Sequence, residues 1–202
     1  MNETLKRTLS GAVYVAVMWF GTFCSELSFH ILFAVILLVC LYEMYKLRKG
    51  KTKILAFLYV LFPLLLVHFI KTELALLMFI LTWTFDTFAY LVGVKFGKHK
   101  IIPTVSPKKS WEGFVGGFIF TVIATYLTVN YFPKIELHQA IAISLFIPFT
   151  ATIGDFTESY YKRKADVKDS GDFIPGHGGM LDRMDSFMFT IPALYIYLNL
   201  IK

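Results

Sequence analysis

Seven long apolar stretches run through this 202-residue sequence, and only one of them is interrupted by an acid, Asp86. A helix needs about 20 mainly apolar residues to span a bilayer, and somewhat fewer where flanking side chains reach the interface. The stretches run from Thr8 to Ser25, Leu27 to Tyr42, Ile54 to Ile70, Leu74 to Val94, Gly113 to Pro133, Leu137 to Gly154 and Ser186 to Ile201. Hydrophobic residues make up 56% of the chain and charged residues only 17%, too few to cover a soluble domain. We therefore predict an all-α, polytopic integral membrane protein with about seven transmembrane helices, forming a single domain over residues 1–202.

The Lys and Arg residues divide unevenly between the two sides of such a bundle. With the N-terminus inside, 17 of the 20 lie on the cytoplasmic side, and only Lys71, Lys134 and Lys202 lie outside. The positive-inside rule therefore predicts a cytoplasmic N-terminus and an outer C-terminus. Lys6 and Arg7 precede the first stretch as in a signal peptide, but no small-x-small cleavage site ends it, so we expect a retained helix.

The formal net charge of +6 needs no nucleic-acid partner, because topology and attraction to anionic lipid headgroups explain it. We interpret the basic segment from Lys46 to Lys53 as such a membrane anchor. Cys24 and Cys40 have no metal-ligand spacing and are expected to act as packing residues. The outer connections are short, so we expect the function to lie in the membrane plane and at the cytoplasmic face.

A first polar segment, SPKKSWEG, precedes the fifth apolar stretch. Ser110 is placed to cap the following helix, whose N-terminal amides can bind phosphate, and Lys108 and Lys109 would add two ammonium groups for the same anion. Asp86, inside an apolar stretch, should face a protein interior or a watery cavity. The alternatives are ordinary juxtamembrane lysines and an Asp that bonds a neighbouring helix.

A second polar segment precedes the last apolar stretch and is rich in carboxylates. Asp155, Glu158 and Ser159 are spaced to share one face of a continuing helix, and Asp182 and Asp185 are spaced to share one face at the start of the last one. Each pair alone could be a helix end that meets water. Together, such hard oxygen ligands favour Mg²⁺, which proteins hold through one or two carboxylates and substrate phosphates.

Cations and glycines are interleaved with these carboxylates. The cations are Lys162, Arg163, Lys164, Lys168 and Arg183. Arginine can bind two phosphate oxygens at once, and the pair Gly178 and Gly179 allows backbone amides to approach a ligand closely. The combination indicates phosphoryl or nucleotidyl transfer.

This second segment resembles the signature of the phosphatidate cytidylyltransferases, also called CDP-diacylglycerol synthases. The signature positions are met by Ser159, Lys162, Arg163, Lys168, Asp169, Pro175, His177, Gly178, Gly179, Asp182, Arg183 and Asp185. Tyr161 departs from the usual aliphatic residue or Phe at a packing position. SPKKSWEG also looks like an upstream element of that family, so the motif-bearing half covers about residues 86–185.

The resemblance implies that CTP and phosphatidic acid are the substrates and that the products are CDP-diacylglycerol and pyrophosphate. It implies Mg²⁺ as cofactor, with a second metal ion left open, held by Asp155, Asp182 and Asp185. The expected catalytic residues are Lys168, Asp169, His177 and Arg183. The expected substrate-binding residues are Ser106, Lys108, Lys109, Ser110, Lys162, Arg163, Gly178 and Gly179.

His177 is not expected to act as a strong base, because the second pKa of a phosphate monoester lies near ~6 and the lipid phosphate is already charged at pH 7. It would hydrogen-bond a phosphate or a metal-bound carboxylate, or be a structural histidine. Glu43, Asp86 and Glu112 are further candidates to line the site. The resemblance also favours the inner (cell) membrane of a bacterium.

Three other functions stay open at this point. A CTP-dependent lipid kinase or a CDP-lipid synthase for another lipid would share the membrane setting and the nucleotide. An ion or proton-coupled transporter is disfavoured because the charges gather on one face and no matching inverted halves are visible. A homodimer is a further expectation.

Overall fold

The computed structural model describes residues 3–48 and 54–200, and these form eight α-helices and no strands. The helices are α1 (Glu3–Phe23), α2 (Glu26–Leu47), α3 (Ile54–Leu66), α4 (Thr72–Phe96), α5 (Trp111–Thr128), α6 (Leu137–Lys164), α7 (Leu181–Met184) and α8 (Phe187–Leu200). Short 3₁₀ turns, Val67–Phe69 and Val129–Tyr131, extend α3 and α5. Each of the seven apolar stretches coincides with a helix, because a bilayer leaves backbone groups no partner outside a helix or a closed barrel.

The described helices confirm an all-α integral membrane protein. Four of them, with α5 counted to Tyr131, are long and apolar enough to cross a bilayer, and Thr8–Phe23, Ile54–Phe69 and Phe187–Leu200 form shorter apolar helices. The number of crossings and the orientation stay predictions. Most of the predicted basic anchor, residues 49–53, lies outside the described residues.

Buried aromatic rings connect the helices at the centre of the bundle. Phe33 of α2 lies between Phe29, at 4.8 Å, and Phe79 of α4, at 5.6 Å between ring centroids. Phe79 also meets Phe187, the first residue of α8, edge-on at 4.9 Å. Such pairs add about 1 kcal/mol each beyond the area they bury. They fix the start of α8, and therefore the polar residues just before it, against α4.

Small residues bring α4 and α5 into close contact. A Cβ added at Gly113 would lie 3.0 Å from the Cα of Gly93, and one added at Gly117 would lie 2.8 Å from the carbonyl oxygen of Phe85. Glycines at such positions let helix backbones approach closely in membranes. The α4–α5 pair therefore holds the polar residues of α4 next to the segment that leads into α5.

Candidate active site

A cavity of about 620 Å³ lies where α4, α5, α6 and the α7–α8 connection meet. It brings together polar residues from both motif segments. They are Asp86, Ser106, Lys108, Lys109, Ser110, Asp155, Asp182, Asp185 and Ser186. The two segments are separated by more than forty residues in sequence, so the cavity is created by the packing of the helices.

Local hydrogen bonds shape the segment that carries the two lysines. Ser110 is the N-cap of α5, with φ −132° and ψ 156°, and its hydroxyl accepts a hydrogen bond from the amide of Gly113 at 3.2 Å. This confirms the predicted cap. Glu112 accepts from the backbone amides of Lys98 at 3.1 Å and His99 at 3.2 Å, which closes the turn after α4. The intervening loop thus folds Lys109 back over the cavity.

Three carboxylates and one ammonium group meet inside the cavity. The hydroxyl of Ser186 lies 2.7 Å from an oxygen of Asp155 and 2.9 Å from one of Asp86, although its single hydrogen can serve only one of them. The ammonium of Lys109 pairs with the other oxygen of Asp155. Burial lowers the pKa of Lys109, and burial raises the pKa of the Asp185 carboxyl. Around Ser186, the carboxylates therefore outnumber the ammonium groups.

Asp182 is held by donors from three directions. One oxygen accepts from the amides of Ser170 at 2.8 Å and Gly179 at 2.7 Å, and the other from the ammonium of Lys162 at 2.7 Å. Burial raises the pKa of Asp182, but interaction with the Glu158 carboxyl group and the Lys162 ammonium outweighs it, so the pKa lies below its usual value. Lys162 also contacts Glu158, which is fully buried and receives no directed hydrogen bond from it.

The other predicted site residues lie outside the cavity lining among the described residues. Lys168 is exposed, and the guanidinium of Arg163 donates to the carbonyl of Val167 at 3.2 Å. Asp169 lines a different cavity of about 670 Å³ between α2 and the loop after α6. The roles predicted for these residues, and for Lys162, stay predictions.

The glycine-rich loop before α7 is folded on itself. Gly178 has φ +85°, a left-handed conformation that favours glycine, and it pairs with Ile174 in an isolated bridge. His177 Nδ1 lies 2.9 Å from the hydroxyl of Ser10 in α1, and the guanidinium of Arg183 donates to the His177 carbonyl at 2.9 Å. These contacts tie the loop to the first helix.

Carboxylates are the possible metal ligands that line this cavity. Among residues 3–48 and 54–200, no three His, Cys, Asp or Glu side chains are arranged to hold a metal ion. The oxygens of Asp155 and Asp185 nevertheless face one cavity, and they are the type of ligand that Mg²⁺ takes. The donor set fits such an ion, and magnesium stays a prediction.

Ser186 was missed by the sequence patterns, although it directly follows Asp185. Its exposed fraction is only 2%, and its hydroxyl reaches two acids that are far away in sequence. A serine next to an aspartate at a helix start reads as a capping residue, so no local signal distinguishes this role.

Comparison with known proteins shows the family. A family described as "Cytidylyltransferase family" matches residues 53–201. The chain is 45% identical over 134 residues to a phosphatidate cytidylyltransferase of Thermotoga maritima, which covers 63% of this chain and 50% of the relative. It is 45% identical over 122 residues to one of Staphylococcus aureus (59% and 46%) and 44% identical over 122 residues to one of Bacillus subtilis (60% and 45%). The chain spans about half the length of the curated relatives it matches.

Proposed function

We propose, since this chain belongs to the cytidylyltransferase family, that it transfers CMP from CTP to phosphatidic acid and so forms CDP-diacylglycerol and pyrophosphate. The observation that carries this proposal is the cavity at the edge of the membrane helices, in which Asp86, Asp155 and Asp185 face Lys109. Carboxylates suited to a metal ion and cations suited to phosphate lie together there. Such a combination supports transfer between two phosphorylated substrates.

In the proposed reaction, an oxygen of the lipid phosphate forms a bond to the α-phosphorus of CTP. The bond from that phosphorus to the oxygen of the leaving pyrophosphate breaks. The nucleophile is already charged at pH 7, so the chain must mainly reduce the repulsion between two anions and align them.

Lys109 and Lys108 are the proposed phosphate-binding cations of the cavity. Lys109 lines the cavity and pairs with Asp155, which also accepts from Ser186, so Lys109 can exchange that partner for a phosphate oxygen. The amides at the start of α5 are oriented by the Ser110 cap and would add partial positive charge. Asp155, Asp182 and Asp185 are the proposed ligands of Mg²⁺, which would neutralise phosphate charge when bound.

A groove beside the cavity supports a lipid substrate. It has a volume of about 1030 Å³ and combines an apolar wall with charged residues at one end. Val92, Val115, Gly116 and Ile119 line the wall. At the charged end lie Lys98, Lys100, His99 and the acid that pairs with His99, Glu112. Lys100 also lines the cavity that holds the aspartates, so a lipid phosphate bound by Lys100 would lie beside the reaction site.

Two labels on CTP test the reaction. Purified protein in detergent receives phosphatidic acid, Mg²⁺ and CTP labelled on either the α- or the γ-phosphate, and lipids are separated by chromatography. We expect the α-label in the lipid and no γ-label, whereas a lipid kinase would give the reverse. Asp155→Asn should remove nearly all transfer. Glu73→Gln, at the start of α4 and away from the end of that helix that lines the cavity, should leave transfer unchanged. A lipid without α-label, or an Asp155→Asn protein with full activity, would refute the proposal.

We also propose that the cavity opens at the cytoplasmic face of a bacterial inner membrane. The two natural cysteines test this orientation, since Cys24 is exposed at the end of α1 and Cys40 is buried. A membrane-impermeant maleimide should label Cys24 in spheroplasts and leave Cys40 unlabelled. Labelling of Cys24 only in inverted vesicles would reverse the proposed topology. A homodimer stays a prediction.

A further inference from the structure

One acid of α2 lies beneath the glycine-rich loop. Glu43 is 3% exposed, and it stands on a mainly apolar helix that precedes the region matched by the family. Its two oxygens accept from the amide of Met180 at 3.0 Å and from the amide of Leu181 at 2.7 Å. A buried carboxylate therefore binds the start of α7 from another helix.

This contact replaces a cap that the local sequence does not supply. The first amides of a helix have no partner within it, and Met180, at the N-cap of α7, makes no side-chain capping hydrogen bond. Glu43 satisfies these donors and places a negative charge at the positive end of the helix. Because α7 carries Asp182 and Arg183 and leads directly to Asp185, the position of α7 sets the position of all three.

Ser170 connects Glu43 to Asp182. Its hydroxyl lies 3.1 Å from an oxygen of Glu43 and 3.0 Å from an oxygen of Asp182. The loop is shaped to admit Glu43, since a Cβ at Gly171 would lie 2.8 Å, and one at Gly179 2.5 Å, from its carboxylate oxygens. The second glycine of the pair thus makes room for this acid, in addition to the ligand approach that we predict.

We propose that Glu43 is a positioning residue of the active site, which holds the segment from Ser170 to Asp182 so that Asp182 and Asp185 face the cavity. Glu43 does not line the cavity with the other acids, so it acts through the loop and not on the substrate. The catalytic part of this inference rests on the proposed cytidylyl transfer.

Glu43→Gln tests the role with nearly unchanged volume. The amide group brings an N–H donor against a backbone N–H, so one of the two amides loses its acceptor. We expect kcat to fall about 100-fold, as for a small misplacement of reacting groups, with KM for CTP changed less than about threefold. Glu43→Asp keeps the charge and should recover part of kcat. Glu26→Gln, an exposed acid at the start of the same helix, is the matched control and should behave as the unmodified protein.

Hydrogen exchange gives a readout that does not depend on activity. In Glu43→Gln the amides of Met180 and Leu181 should exchange about tenfold faster, while peptides of α5 stay unchanged. Ser170→Ala tests the same contact from the loop side, with a smaller loss of kcat in the same direction, and serves if Glu43→Gln does not yield folded protein.

The two possible failures are distinguishable. An unmodified protein that forms no CDP-lipid refutes the proposed function, while hydrogen exchange still tests whether Glu43 holds the start of α7. An active protein whose Glu43→Gln variant keeps kcat within about twofold, or loses activity only in proportion to folded protein, refutes the positioning role.

Discussion

Two ion pairs of equal N–O distance allow a direct test of what burial does to the stability of this protein. Lys162 and Asp182 lie 2.7 Å apart with side chains 12% and 6% exposed, and Lys134 and Glu73 lie 2.7 Å apart with side chains 77% and 38% exposed. Lys162→Met and Lys134→Met remove the same charge from each. Any difference between the two variants therefore reports on the surroundings of the charge.

The expected effects differ widely. Removal of one partner from a buried pair costs about 3–5 kcal/mol, and Lys162 also contacts Glu158, which is fully buried. For a chain of this size, about 3–5 kcal/mol lowers Tm by roughly 10 °C. The exposed pair should contribute little, so Lys134→Met should shift Tm by less than about 2 °C.

Thermal unfolding in detergent, followed by circular dichroism with EDTA present, measures both shifts. Asp182→Asn in the Lys162→Met background removes the carboxylate that has lost its partner and should restore at least half of the lost Tm. Equal shifts for the two lysine variants, or no recovery in the double variant, would contradict a stabilising role of Lys162 in this buried pair.

Three further predictions follow from the helix contacts and the loop. Gly113→Val should push α4 and α5 apart and lower Tm by about 5 °C, because overpacking usually costs about 1–3 kcal/mol. Val115→Leu, at an exposed position of the same helix, should leave Tm unchanged. Equal Tm values for the two variants would contradict the close contact between the helices. Because the pKa of Asp182 is lowered on folding, the contribution of Asp182 to the free energy of unfolding is present above about pH 4 and is lost as the pH falls further. With EDTA present, the Tm of the unmodified protein should therefore fall more steeply between pH 5 and pH 3 than the Tm of Asp182→Asn. Parallel curves would contradict this. Ser10→Ala should speed hydrogen exchange of the His177 amide without changing that of α5, and an unchanged rate would show that the contact with α1 does not order the loop.

The patterns that predicted the fold are local ones. A long apolar stretch specifies a membrane helix by itself, and the spacing of Asp155 and Glu158 correctly indicated that α6 continues past Gly154, to Lys164. Ser110 was predicted as a cap for the same reason, since a cap lies next to the helix it starts. The apolar stretches do not fix how many helices cross the bilayer, because three of the helices are shorter than a full span.

The site residues were predictable only where several carboxylates or cations lie close together in the sequence, or where they match the family signature. Asp155 and Asp185 were singled out by their carboxylates and the resemblance, and they do line one cavity. Lys162 was assigned to phosphate by its charge and its place in the signature, although its position four residues after Glu158 also fits a helical ion pair. Glu43 was expected to line the site and does not line this cavity. Its contact with the start of α7 carries no local signal, because its partner Leu181 lies 138 residues away.

The contacts of the first two helices have a practical consequence for fragment design. A fragment that begins at residue 53 would keep every signature residue and the whole region matched by the family. It would lose Ser10, which meets the glycine-rich loop, and Glu43, which caps α7. The region matched by the family therefore lacks two side chains that contact the loop before α7, and fusion or minimisation experiments should keep α1 and α2 covalently attached or supply them as a separate, co-expressed chain.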